Sequence, residues 1–156
     1  MLANPPIRLA QKRDARPIAE LSRDSIEHGL RWTYDRARIL KAIANPSINV
    51  AVARERGRLL GFGIMEYGDE AAHLVLLGVR PDRQGRGLGR RLVGWLERCA
   101  LVAGIRRVRV EARLDNPGAI AFYRRLGYRE IRRFGGYYDG RLDAVQLEKP
   151  LGARLA

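Results

Sequence analysis

Apolar residues recur at helical spacing in four stretches of the chain and alternate or run together in seven others. Ile18, Leu21 and Ile26 fall on one side of a helix that Asp14 can cap and that runs to about His28. A second helix, capped by Thr33, turns Ile39, Leu40 and Ile43 inward and stops at Asn45-Pro46. Leu92, Leu96, Cys99 and Ala103 form the stripe of a third, from about Leu88 to Ala103. The short segment Asn116 to Arg125, ended by Gly127, is a fourth. Strands are predicted at Ile7 to Ala10, Ile48 to Ala53, Leu59 to Tyr67, Ala71 to Val79, Arg106 to Ala112, Tyr128 to Phe134 and Asp143 to Leu147, the last two around a loop rich in Gly and Tyr. Tight-turn chemistry at Glu55-Arg56-Gly57-Arg58 and at Gly68-Asp69 joins three of these strands in an antiparallel meander. The Leu88 helix is a crossover, so the Ala71 and Arg106 strands are parallel neighbours. The fold class is therefore α+β: a mixed, mostly antiparallel sheet with a central parallel strand pair, flanked by helices.

At 156 residues, 46% of them hydrophobic, the chain is read as one domain with a core from about residue 7 to residue 149. No apolar run reaches the roughly 18 residues of a membrane span, and Met1 to Ala10 lacks the apolar core of a secretory signal, so a cytoplasmic protein is expected. One cysteine, Cys99, and two histidines, His28 and His73, leave little for a disulfide framework or a metal site, and no metal is expected. The formal net charge of +13 attracts polyanions. Yet the 27 arginines and 3 lysines are spread along the whole chain, which argues against a dedicated nucleic-acid surface.

The candidate chemistry begins after the Ala71 strand. In Val79-Arg80-Pro81-Asp82-Arg83-Gln84-Gly85-Arg86-Gly87-Leu88-Gly89-Arg90, three glycines clear side chains from backbone N–H groups at the start of a helix. This is an anion cradle, and ligands favour such a place at the carboxyl end of a parallel strand. It lacks the Gly-Lys-Ser/Thr of a P-loop and the Gly-x-Gly-x-x-Gly of a dinucleotide fold.

Gln84-x-x-Gly87-x-Gly89 after Val79-x-Pro81, together with Asn116-x-x-Ala119-x-x-Phe122-Tyr123-x-x-x-Gly127-Tyr128, resembles the two signatures of the GNAT N-acetyltransferase superfamily. The resemblance covers about Ile7 to Lys149 and implies acetyl-CoA as cofactor. It implies backbone contacts from Leu77 to Val79 to the pantetheine, and from Gln84, Gly85, Arg86, Gly87, Leu88, Gly89 and Arg90 to the pyrophosphate. Asn116 caps its helix and also suits a cofactor hydrogen bond. Tyr123 matches the family tyrosine at the thiol, where a phenol can protonate the leaving thiolate; its other reading is a packing aromatic. His73 and Glu111 fall where several protein N-acetyltransferases of the superfamily carry titratable groups, and together they make a proton relay; alone, each reads as a structural strand residue.

Tyr137-Tyr138 before Asp143-Ala144 resembles the tyrosine pair of the ribosomal-protein N-terminal alanine acetyltransferase group, which embraces the first residues of a peptide. An aromatic lid on the sheet edge is the other reading. Leu30-Arg31-Trp32-Thr33 sits where that group has an aromatic-proline pair, and the missing proline and extra Arg31 alter the expected acceptor, Arg31 suiting an acidic group. The implied activity is acetyl transfer to a primary amine, above all a protein or peptide N-terminus, in a ternary complex. A small-amine acetyltransferase and a non-catalytic basic module binding CoA or nucleic acid are the alternatives. Monomer and homodimer both remain open.

Overall fold

A computed structural model of the protein describes residues 4–27, 32–138, 140 and 142–152. In chain order the elements are β1 (Ile7–Leu9), α1 (Ala15–Ser25), α2 (Arg36–Ala44), β2 (Ile48–Glu55), β3 (Arg58–Tyr67), β4 (Ala72–Val79), α3 (Leu88–Val102), β5 (Arg107–Arg113), α4 (Pro117–Arg125), β6 (Arg129–Tyr138) and β7 (Leu142–Pro150). The strands form one seven-stranded sheet in the order β1-β2-β3-β4-β5-β7-β6, antiparallel throughout except for β4 and β5. This is an α+β fold with the central parallel pair that the crossover through α3 requires. β7 lies between β5 and β6, so the last strand in sequence borders the functional centre. Among the described residues no helix is long and apolar enough to cross a membrane.

Each face of the sheet buries its own core. On one side Leu92 and Leu96 of α3 pack with Leu74, Val108, Val110 and Leu147. On the other, Ile18 of α1 and Ile39 of α2 cover Phe62, Ile64 and Leu76. Each such buried side chain contributes roughly 1.5–3 kcal/mol. In α3 the buried stripe is Leu88, Leu92, Val93, Leu96 and Ala100; Cys99 is half-buried beside it, and Ala103 lies exposed beyond the helix end rather than on the stripe.

Two expected caps are corrected. Asp14 precedes α1 but makes no side-chain cap; its buried carboxylate accepts the Gln11 N–H at 2.7 Å and pairs with Arg8 at 3.0 Å and Arg54 at 2.7 Å. Asp35, not Thr33, caps α2 by accepting the Arg38 N–H at 3.0 Å. The tyrosine-rich segment is also strand rather than loop, since β6 continues through Tyr138, which pairs with Leu142.

The feature that positions the site is a slip in the β3–β4 ladder. Ile64 opposes Leu76 while Met65 opposes Leu74, which leaves Val75 as the extra residue of a β-bulge. Before the bulge, Ala72 and Leu74 face α3; beyond it, Leu77 and Val79 do, and Leu76 faces the α1–α2 layer. His73 therefore shares its face with Leu76, not with Leu77 and Val79 as simple alternation predicts. The parallel ladder to β5 spans only Ala72–Leu74 against Val108–Val110, after which the two strands part as a wedge.

Candidate active site

A cleft of about 980 Å³ occupies this wedge. One wall is β4 from His73 to Val79, the other is β5 from Val110 to Arg113, and Asn116, Ala119 and Tyr123 bring in α4. At its other end the cleft opens between Glu27, Tyr34 and Arg38 on the α1–α2 side and Tyr137, Tyr138 and Gly140 on the β6–β7 side.

Beyond Val79 the chain makes a short turn, and the Gln84 side chain donates back to the Val79 carbonyl at 3.1 Å. Gly85 and Gly87 take left-handed φ values of +78° and +85°, which favour glycine, and a Cβ at either would project into open space. Gly87 is the N-cap of α3 and no side chain caps that helix, so its first-turn amides are free to meet an anion. Gly89 allows close packing of α3 on α4, since a Cβ there would lie 3.2 Å from the Phe122 ring. These features fit a pyrophosphate. Asn116 caps α4 by accepting the Ala119 N–H at 3.1 Å, as expected. Arg86 is exposed, Leu88 is buried with only its amide relevant to the loop, and the Arg90 side chain lines a second groove on α3.

Deeper in, His73 Nε2 hydrogen-bonds Glu111 Oε1. Gln146 of β7 donates to the other Glu111 oxygen at 2.6 Å, and the Tyr137 hydroxyl donates to Oε1 at 3.3 Å. The Glu111 bond raises His73 above the ordinary histidine value, burial opposes the rise, and Glu66 adds to it. Burial pushes the Glu111 carboxyl up, but His73, Gln146 and Tyr137 outweigh it and hold the carboxyl low. Both shifts favour the ion pair, imidazolium beside carboxylate. Burial, with the nearby Glu111 charge, pushes the Tyr137 phenol up to about 12.

Tyr123 is buried at the inner end of the cleft, edge-on to Phe122 and Tyr128. Its hydroxyl has no hydrogen-bond partner among the described residues. Burial pushes its pKa far above the ordinary phenol, with Tyr138 and Glu111 reinforcing the shift, so it stays a neutral donor at any working pH.

Two residues emerge that the sequence did not signal. Glu27 is buried and accepts the Ser22 hydroxyl at 2.9 Å and the Thr33 N–H at 2.6 Å, fixing the entry to α2. Gln146 becomes visible only when β7 is placed beside β5, where it opposes Glu111. Trp32 is exposed beneath the Arg23 guanidinium and does not line the cleft; Leu30 and Arg31 lie outside the described residues.

The sequence matches the Acetyltransferase (GNAT) family over residues 14–128. The chain belongs to this family. The acetyltransferase is 34% identical over 100 residues to the [ribosomal protein bS18]-alanine N-acetyltransferase of Escherichia coli (strain K12), covering 62% of this chain and 68% of that one. It is 32% identical over 114 residues to the IAA acetyltransferase of Azospirillum brasilense, 72% of this chain and 74% of that one. In fold it resembles the crystal structure of the ribosomal-protein-S18-alanine N-acetyltransferase from Escherichia coli, with a TM-score of 0.82 over 98% of this chain and 99% of that one at 24% identity. This GNAT protein is an acetyl-CoA-dependent N-acetyltransferase.

Proposed function

We propose that this acetyltransferase acts on the α-amine of a protein or peptide N-terminus. His73 and Glu111 manage the proton of the amine, and Tyr123 serves the departing thiol. The observation that carries the reading is the convergence on Glu111 of His73, Gln146 and the β6 residue Tyr137 at the floor of an open-ended cleft. Acetyl-CoA supplies an acetyl group activated as a thioester. The Gln84–Gly89 loop and the first turn of α3 hold its pyrophosphate, and Leu77 to Val79 line the wedge that admits the rest.

An α-amine has a reference pKa of about 7.7–8.0 and a lysine amine about 10.4, so the former needs far less help to become a nucleophile. With its elevated pKa, His73 accepts the amine's proton only after losing its own, and Glu111 stabilises the imidazolium that results. Tyr123 is too weak an acid to give up its proton freely to a thiolate. It acts by donating a hydrogen bond to the sulfur as charge develops there.

The cleft does not offer the free acidic lining a polycationic small amine would need. Glu27 and Glu111 are engaged by internal donors, Asp115 is paired with Arg113 at 2.9 Å, and Arg38 adds a positive charge at the mouth. The substrate of the bS18 relative, an alanine N-terminus of a ribosomal protein, supports the same reading. Acetyl-CoA consumption against a peptide N-terminus library and a panel of small amines tests it. Free-amine peptides should turn over and N-blocked ones should not; turnover confined to small amines overturns the assignment.

A further inference from the structure

Folding gathers on the outer side of α3 what the sequence disperses. Arg90, Arg91 and Arg98 of α3, Arg125 at the end of α4 and Lys149 of β7 line a groove of about 560 Å³. Gly94 leaves the helix surface open between them, where a Cβ would touch only Arg98 Nη1, at 3.6 Å. The carboxylate in the lining, Glu97, is already occupied: it accepts the Tyr128 hydroxyl at 2.8 Å and the Lys149 ammonium at 3.0 Å. Among the described residues no carboxylate pairs with Arg90, Arg91, Arg98 or Arg125. Four guanidinium groups therefore face one groove without counter-ions.

Trp95 supplies the second observation. It lines the same groove, half-exposed, while also packing against the core beneath α3. A fixed indole among unpaired arginines is the combination that binds single-stranded nucleic acid, with cations on the phosphates and a ring on which a base stacks. A lipid surface is flat and does not enter a groove, and an acidic peptide brings carboxylates without planar rings for the indole. We propose that this groove binds single-stranded nucleic acid, its arginines on the phosphodiester backbone and Trp95 under a base. The groove shares no lining residue with the catalytic cleft; its Arg90 and Arg91 border the pyrophosphate loop, while Trp95, Arg98 and Arg125 lie beyond the first turn of α3.

The test is fluorescence anisotropy with a labelled oligouridine of about 12 nucleotides across a range of salt concentrations. With the four guanidinium groups engaged, log K against log salt should fall with a slope of about −3, at roughly 0.7 per phosphate contact. Arg98→Gln/Arg125→Gln, which leaves the first turn of α3 intact, should weaken binding about fivefold or more near 100 mM salt and flatten the slope by about 1.4. Its acetyl transfer to peptides should be unchanged. A control of equal charge, Arg13→Gln/Arg16→Gln, removes exposed arginines from the opposite side of the sheet. If the control weakens binding as much as the groove variant, the net charge alone explains the affinity and the groove is overturned. The chain has two tryptophans, so in Trp32→Phe protein the indole signal belongs to Trp95. Oligouridine should quench it over the same concentrations that raise the anisotropy; an unquenched indole at saturation overturns the stacking platform.

Discussion

Glu111→Gln removes a charge while keeping the shape of the side chain, so it isolates what the carboxylate does to His73. The Glu111 bond is the main cause of the raised His73 pKa, with Glu66 helping and burial and Arg109 opposing. Without that carboxylate, burial and Arg109 are met by Glu66 alone, and the His73 midpoint falls. With two histidines in the chain, NMR titration of the imidazole C–H signals, assigned through His28→Gln, reads that midpoint directly. The acidic limb of kcat on a saturating peptide should move to lower pH with it, while the maximum rate drops about 10²-fold or more for loss of the relay.

Stability should respond with a definite sign. His73, raised in the folded state, contributes stability that is fully present below about pH 6.5 and is lost as pH rises through its folded value. Glu111, held low, contributes above about pH 4.3 and loses that contribution as pH falls through its folded value. The pair thus stabilises most between those limits. A charge-assisted hydrogen bond contributes roughly 1.5–3 kcal/mol. The His73 side chain is 38% exposed, so solvent screening reduces this to about 1–2 kcal/mol. At about 2–4 °C per kcal/mol for a chain of this length, Glu111→Gln should melt roughly 2–8 °C lower near pH 6 and by clearly less near pH 9. An unmoved His73 midpoint, with equal Tm losses at the two pH values, would refute the coupled pair.

Tyr123→Phe should cut turnover about 10²-fold while leaving acetyl-CoA affinity and Tm almost unchanged, because the lost hydroxyl has no hydrogen-bond partner among the described residues; unaltered turnover with chemistry rate-limiting returns Tyr123 to packing. Gly87→Ala puts a Cβ where the anion approaches and strains a left-handed backbone by about 1–2 kcal/mol, so calorimetry should show weakened acetyl-CoA binding with a small fall in Tm. Asp14→Asn should cost about 2–4 kcal/mol near neutral pH by stranding Arg8 and Arg54. Burial raises that carboxyl but its donors hold it low, so the cost should shrink only as pH falls through its depressed value, as acid-range melting curves will report. Cys99→Ala should leave turnover intact, since the thiol is pushed up by burial and lies outside the cleft; a trapped acetyl-cysteine at position 99 would contradict direct transfer.

The elements were legible because local rules decide them: Leu92 and Leu96 on the buried stripe of α3, the turn at Arg56-Gly57 with both φ values positive, and the glycines that turn the chain into α3. What sequence periodicity misread is what tertiary partners decide. Asp14 looks like an N-cap, but Arg8 and Arg54 reach its carboxylate from β1 and β2. Thr33 and Asp35 are both fit to cap α2, and Asp35 does so while Glu27 takes the Thr33 N–H. The bulge at Val75 leaves no trace in composition, since Val-Leu-Leu reads the same with or without an extra residue. Gln146 needed the non-local β5–β7 pairing, and the arginine groove needed three elements to meet.

The bulge also explains why Tyr123 and the His73–Glu111 pair lie on opposite faces of one sheet. Tyr123 packs with Val110 and Ala112 on the α3–α4 side, while His73 and Glu111 project toward the other side, where Tyr137 and the α1–α2 connection frame the mouth. A continuous β4–β5 ladder would wall these groups off from each other. Because pairing stops at Leu74 and Val110, a gap opens between the two strands, and in the proposed mechanism the acetyl donor would enter it from the α3 end and the amine from the tyrosine end. The reacting atoms can meet only where the ladder is open. The proposed direct transfer needs no protein nucleophile: the histidine is engaged by Glu111, the phenols are held neutral, and the cysteine lies outside the cleft on α3. In the proposed mechanism the sheet supplies the gap in which the His73–Glu111 pair and Tyr123 can both reach the reacting atoms, and the extra residue in β4 sits where the β4–β5 ladder opens.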